Sequence, residues 1–226
     1  MYQLIIANKN YSSWSLRPWV LMNELNISFE ERLEPFGGNA HVDGFKSFSP
    51  TGKVPCLIDG SRTIWDTLAI TEYLHERHQG IWPTDDDARA WGRSVAAEMH
   101  SGFSALRNSC PMNVSVKVEM NALSHPLAKD ITRVDEIWSQ GLSRFGGPFL
   151  CGDKYTAADA FFSAVVFRWW SYGFDLSAPA KAYANRIMAL PSMQNWQKSG
   201  QAETWRDQSH EDETSDAGRI ISDARI

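Results

Sequence analysis

The chain has 226 residues, 43% apolar and 22% charged, enough to bury about 70% of its unfolded surface in one or two domains, which excludes a disordered or collagen-like chain. Its net charge of −5 gathers in Asp207 to Ile226, where six acids face only Arg219 and Arg225, so the body is near neutral and has no basic stripe for nucleic acid or an anionic membrane. The longest apolar run, Ala160 to Phe167, is broken by Ser163 and falls far short of the roughly 20 residues that cross a bilayer.

Tyr2 to Ala7 reads as a first strand. With no basic residues ahead of it, its apolar stretch is too brief for a secretory segment, so a cytoplasmic location is expected. Leu16 to Leu25 has helical spacing, with Pro18 tolerated in the first turn. Ser28 to Pro35 is strand-like until Gly37 and Gly38 break it. Val54 to Ile58, the Asp59-Gly60 turn and Thr63 to Trp65 predict a hairpin, and a helix follows from Asp66 or Thr67 with Ile70, Tyr73 and Leu74 on one face. Residues 1–80 therefore read as an α/β domain of order β-α-β, loop, β-β-α. Trp82-Pro83-Thr84-Asp85-Asp86-Asp87 marks a linker over 81–88.

Residues 89–206 read as an all-α domain. Val95, Met99, Phe103 and Leu106 predict one long helix; Leu127, Ile131, Val134, Trp138, Leu142 and Phe145 predict another, stopped by Gly146-Gly147-Pro148. Thr156-Ala157-Ala158-Asp159 fits a capping box ahead of a buried helix, and Tyr183, Ile187 and Leu190 mark one more, ended by Pro191. Residues 207–226 read as a solvated, disorder-prone acidic tail. Cys56, Cys110 and Cys151 are odd in number and far apart, so reduced thiols are expected and no metal.

Three polar features stand at element junctions. Asn10-Tyr11-Ser12-Ser13-Trp14-Ser15-Leu16-Arg17-Pro18 places three serine hydroxyls at a helix N-terminus, where free amides and the helix dipole favour a thiolate or phosphate; plain N-capping by Ser13 or Ser15 explains the same pattern. Lys53-Val54-Pro55-Cys56 interrupts a strand start with a proline. A cis Val-Pro bond there would turn the Val54 backbone toward an extended peptide-like ligand, although ordinary edge strands also begin this way. Asp66-Thr67 opens a helix, where the hydroxyl and amides suit a carboxylate and Asp66 an amine, or where Asp66 merely caps.

Together these features resemble the glutathione transferase family over most of the chain. Gly152-Asp153-Lys154-Tyr155-Thr156-Ala157-Ala158-Asp159 is similar to the capping motif of that family's helical domain, and Ser12-Ser13-Trp14-Ser15-Leu16-Arg17 is most similar to the zeta-class loop, with Trp14 replacing its cysteine. The resemblance implies a thioredoxin-like glutathione-binding N-terminal domain followed by an all-α helical C-terminal domain. It also implies glutathione as cosubstrate, a small electrophile as second substrate, and a homodimer.

Carried over residue by residue, the resemblance makes Ser12 the hydroxyl that holds the glutathione sulfur as thiolate, with Ser13 and Ser15 as runners-up. Val54 would pair with the cysteinyl backbone, Asp66 and Thr67 would take the γ-glutamyl end, and Lys53 and His41 would reach the glycyl carboxylate. Asp159 is implied as a structural cap. Trp14, Trp169 and Tyr172 would wall a pocket for an apolar electrophile, with His100 facing it, although aromatic residues at helical spacing usually belong to the core. A maleylacetoacetate isomerase, the second expectation, would carry an arginine near Ser171, and Arg168 lies about one turn earlier. A third expectation is a non-catalytic transferase-like binding module; the intact serine loop favours an enzyme over it.

Overall fold

The computed structural model describes residues 1–37 and 42–225. The first domain holds β1 (Tyr2–Ile6), α1 (Ser13–Glu24), β2 (Phe29–Leu33), α2 (Val42–Lys46), β3 (Cys56–Asp59), β4 (Arg62–Trp65) and α3 (Thr67–His75). Its sheet has the order β2-β1-β3-β4, with β1 parallel to β2 and antiparallel to β3. Leu4, Ile5 and Ile6 of β1 are fully buried, as a central strand covered on both faces requires. The hairpin pairs Cys56 with Trp65 and Asp59 with Arg62, with Gly60 at φ +59 in its turn. This is the thioredoxin-like arrangement expected from the sequence.

The remaining elements are α4 (Asp86–Ser101), α5 (Ser104–Ser109), β5 (Val116–Met120), α6 (His125–Phe145), α7 (Ala157–Tyr172), α8 (Ala178–Met188), α9 (Pro191–Gln201), α10 (Gln208–Asp216) and β6 (Gly218–Asp223). The helix α7 is buried on almost every face, which its continuous apolar sequence demands. It packs against α1 of the first domain and against α4 and α8 of the second, so one helix seats the two domains on each other. Its start is the expected capping box of Thr156 and Asp159. The Asp159 carboxylate also accepts bonds from Leu150 N at 3.0 Å and the Tyr183 hydroxyl at 3.1 Å.

Several elements differ from the sequence reading. The first helix begins at Ser13, so Pro18 lies one turn further in than expected, inside the helix. The helix predicted through Phe103 and Leu106 breaks after Ser101: Gly102 leaves helical geometry and Phe103 is left-handed at φ +59. The Arg107 guanidinium folds back on that break and caps the carbonyls of Met99, His100 and Gly102, supplying the partners that the last turn of α4 lacks. Pro191 ends α8 and also opens α9 from its first position, where a missing N–H costs nothing.

The acidic segment read as a disorder-prone tail is instead folded as α10 and β6. Strand β6 pairs antiparallel with β5, a two-stranded addition to the helical domain. Its charges have partners: Glu211 accepts the Tyr11 hydroxyl and, on both carboxylate oxygens, Arg225 Nη1, Asp207 caps α10, and Arg219 pairs with Glu119. No helix among the described residues is long and apolar enough to cross a membrane.

Candidate functional site

The segment between β1 and α1 is held rigidly from the second domain. The buried carboxylate of Glu203 accepts Lys9 N at 2.6 Å, Asn10 N at 3.3 Å and Asn8 Nδ2 at 3.4 Å. Trp196 Nε1 donates to Lys9 O at 2.8 Å, and the Ser115 hydroxyl donates to Asn10 Oδ1 at 2.6 Å. The chain then turns into α1 through Ser12, which is the N-cap: Ser15 N donates to its Oγ at 3.4 Å, and its hydroxyl donates to Ser15 Oγ at 2.8 Å. Capping thus falls to Ser12, not to Ser13 or Ser15. Ser15 is fully buried and accepts Ala7 N at 3.2 Å. Ser13 is the first helical residue, and its hydroxyl has no hydrogen-bond partner among the described residues.

Ser12, Ser13 and Trp14 open on a cleft of about 590 Å³ whose wall continues through Lys53, Val54, Asp66 and Thr67. Two helix N-termini therefore face one space. The Val54–Pro55 bond is cis. Asp66 caps α3 by accepting Leu68 N at 2.9 Å and sits at φ +71, a conformation that costs a non-glycine residue about 1–3 kcal/mol and collects at ligand sites. Thr67 is buried behind it. His41 lies outside the described residues. His100 stands behind the wall: Nδ1 is 3.5 Å from Thr67 Oγ1 and Nε2 is 3.5 Å from Asp66 Oδ2, and its ring meets Trp14 edge-on. Burial, with help from Arg17 and Arg107, depresses its pKa against the pull of Asp66, which favours the neutral ring.

The second-substrate residues read from the sequence separate. Trp14 lines the cleft, whereas Trp169 and Tyr172 do not. The Tyr172 hydroxyl donates to Pro111 O at 2.9 Å, and Trp169 is half-buried against the core. Ser171, the place expected for an isomerase arginine, is buried and bonded to Asn113 O at 2.7 Å. Arg168 and Arg107 occupy the cleft instead, with Arg17 behind Trp14 at 4.0 Å from its ring centroid. Arg17 is 1% and Arg168 5% exposed, and Arg17 Nε, Arg17 Nη1 and Arg168 Nε are buried without hydrogen-bond partners among the described residues. Burial and the neighbouring guanidiniums push Arg168 down to about 10 and Arg17 well below its usual range. Such a cluster suits a planar anion with two oxygens.

From the far side come Tyr11, Phe36, His210 and Glu213. The Tyr11 hydroxyl is bonded to Glu211, and burial followed by that bond pushes its pKa up to about 12. Sequence reasoning missed Arg107, His210 and Glu213. Arg107 carries no local motif, and the other two lie in the segment read as a tail. Among the described residues no three His, Cys, Asp or Glu side chains gather for a metal.

Residues 11–77 match the family described as glutathione S-transferase, N-terminal domain. Among curated relatives, the chain is 24% identical to a probable maleylacetoacetate isomerase of Caenorhabditis elegans over 172 residues, covering 74% of this chain and 78% of the relative. It is 27% identical to a zeta-class glutathione S-transferase of Euphorbia esula, covering 69% and 71%. Among solved structures, maleylacetoacetate isomerase of Methylobacterium extorquens AM1 with bound malonate and glutathione aligns at TM-score 0.65 and 22% identity, over 86% of this chain and 95% of that one. A theta-class transferase of Xanthomonas axonopodis pv. citri with glutathione bound aligns at TM-score 0.63 and 18% identity, over 86% and 95%.

Proposed function

We propose, on the premise of the match of residues 11–77 to the glutathione S-transferase N-terminal domain family, that the protein is a glutathione transferase that activates the glutathione thiol for attack on a small electrophile. The observation that carries this reading is the convergence of α1 with Ser12 and Ser13, α3 with Asp66 and Thr67, and Val54 on one cleft. A tripeptide thiol with two carboxylates needs anion-favouring helix starts and an extended main chain to lie along.

Ser12 donates to the sulfur. Its hydroxyl now donates to Ser15 Oγ; when it turns to a thiolate, the Ser15 hydroxyl, anchored by Ala7 N, can donate back to Ser12 Oγ. A free thiol has a pKa of about 8.5, so holding it as thiolate at neutral pH takes about 2.7 kcal/mol for a shift of two units. One charge-assisted hydrogen bond with a helix terminus supplies that amount. Val54 pairs with the cysteinyl main chain, Asp66 and Thr67 hold the γ-glutamyl end, and Lys53 reaches the glycyl carboxylate. The working unit is a cytoplasmic homodimer, a reading that rests on family resemblance, and a one-chain sedimentation mass at micromolar protein would count against it.

Calorimetric titration with glutathione tests the reading. Binding should raise thermal stability, by about 2.7 kcal/mol at 100 times the dissociation constant. Absence of both heat and stabilisation at millimolar glutathione sinks it.

A second reading, glutathione-dependent cis-trans isomerisation of a dicarboxylate of the maleylacetoacetate type, is favoured by Arg107 and Arg168 in the cleft. The aligned isomerase of M. extorquens was solved with malonate and glutathione, and the paired positive charges of Arg107 and Arg168 suit a dicarboxylate here.

A further inference from the structure

The helix α10 brings to the cleft a group with no place in the account above. His210 lies on the cleft wall, its ring stacked between Tyr11 at 5.0 Å and Phe36 at 4.9 Å, centroid to centroid. Its Nδ1 is 2.5 Å from Asp207 Oδ2. Asp207 is fixed in turn: it caps α10, accepting His210 N at 3.3 Å, and takes the Ser209 hydroxyl at 2.5 Å. With Nδ1 committed to a carboxylate, the neutral ring carries its proton there, and Nε2 presents a lone pair with no hydrogen-bond partner among the described residues. Two aromatic rings and one carboxylate thus fix the plane and the tautomer of an imidazole on the wall of the cleft that holds Ser12 and Ser13.

The other titratable groups on that wall are poor proton acceptors for a thiol. Tyr11 gives its hydroxyl to Glu211. Lys53, Arg107 and Arg168 are cationic side chains, and Asp66 is occupied as the cap of α3. Glu213 is a carboxylate, an intrinsically weaker base than imidazole. Imidazole is the side chain whose basicity matches neutral pH, and a carboxylate on its far nitrogen orients it and steadies the imidazolium that forms.

Resting on the transferase reading of the cleft, we propose that His210, oriented by Asp207, accepts the proton of the bound glutathione thiol at Nε2. The S–H bond breaks, its electron pair stays on sulfur, where Ser12 and the start of α1 hold the thiolate, and the proton passes to Nε2 to give an imidazolium paired with Asp207. The charged groups on its own side are Asp207, the Glu211–Arg225 pair and Glu213, and those that line the same cleft from other elements are Lys53, Asp66, Arg107 and Arg168; Tyr11 and Phe36 cover its faces.

The test uses the full chain with glutathione, and follows thiolate absorbance against pH together with proton release to buffer. Proton release is read by calorimetry in two buffers of different ionisation enthalpy. In the wild type at neutral pH, thiolate should form without a matching release, because the proton stays on His210. In His210→Gln the thiol titrates about one unit higher, an about tenfold loss of thiolate at a fixed pH, and each thiolate that does form releases one proton. Asp207→Asn keeps a good helix cap but removes the carboxylate, and should move both readouts in the same direction. S-methylglutathione, which has no proton to give, should bind all three proteins within a few-fold; if His210→Gln fails that check, Asp207→Asn decides. One proton released per thiolate in the wild type overturns the proposal, as does a titration altered by Glu213→Gln but by neither of the other variants. A wild type that binds no glutathione overturns the transferase reading itself, and a wild type that binds while both variants titrate unchanged overturns this proposal alone.

Discussion

Replacing Ser12 with alanine removes the cap of α1 and a cleft hydroxyl at once, and the two losses are read by different measurements. The cap consists of the Ser15 N bond at 3.4 Å and the hydroxyl pair with Ser15 at 2.8 Å. Losing a serine N-cap costs about 1 kcal/mol, which for a chain of this size lowers the melting temperature by about 2–4 °C. The hydroxyl is also the proposed donor to the sulfur. A hydrogen bond to a charged group contributes about 1.5–3 kcal/mol, so the bound thiol should titrate about one to two units higher at 1.36 kcal/mol per unit. Glutathione affinity should stay within a few-fold, since Val54, Asp66 and Thr67 are untouched. Ser13→Ala removes no cap, and its stability should stay within about 0.5 kcal/mol of wild type. Thiolate absorbance of the binary complex, titrated against pH beside a melting curve, reads both. A Ser12→Ala protein that loses stability yet titrates like wild type refutes the reasoning. A shift confined to Ser13→Ala would move the donor to that residue, and no shift in Ser12→Ala, Ser13→Ala or Ser15→Ala would leave the helix terminus as the only activator.

Arg168→Met should raise KM for a carboxylate-bearing electrophile about tenfold or more, from the loss of a charge-assisted bond, and leave KM for a neutral chloronitroarene unchanged. Because Arg168 is buried with an unpartnered Nε, its replacement should not lower stability in urea, and equal losses with both electrophiles would refute the anion-binding role. Asp159 is fully buried, and burial outweighs its hydrogen bonds to push its pKa up from 3.8 to about 6. Between those values the folded chain binds more protons than the unfolded one, so this group's contribution is greatest below about pH 4 and is lost as pH rises through 6. The stability difference between wild type and Asp159→Asn, from urea unfolding, should therefore shift against the wild type by about 2 kcal/mol between pH 4.5 and 6.5; a pH-independent difference would refute the shift.

Features whose physics is local were legible in the sequence. The β3–β4 hairpin follows from Asp59-Gly60, because a tight turn selects a residue free to take positive φ. The start of α7 follows from Thr156 and Asp159, whose reciprocal bonds span three residues. The serine loop and Asp66-Thr67 were readable as helix starts, and an N-terminus favours anions wherever it occurs. Which serine caps was not readable, since Ser12, Ser13 and Ser15 are equally suited by type and only the path of the chain out of β1, clamped by Glu203 and Trp196, chooses Ser12.

What the fold alone decided depends on partners distant in sequence. Apolar spacing runs on from Val95 to Leu106, yet the helix breaks at Gly102 because the Arg107 guanidinium returns to its last carbonyls. Trp169 and Tyr172 have the composition of a pocket wall, and helical phase turns them into the core or against Pro111. The segment from Asp207 onward has the composition of a solvated tail, but Tyr11 and Glu119, each about a hundred residues or more away, give its charges partners and its strand an edge. By itself the sequence determined an α/β domain ahead of a helical one and the helix starts that favour an anion. The tertiary structure decided that Arg107, Arg168 and His210 share their cleft, because three residues from separate elements meet only when the chain between them is folded.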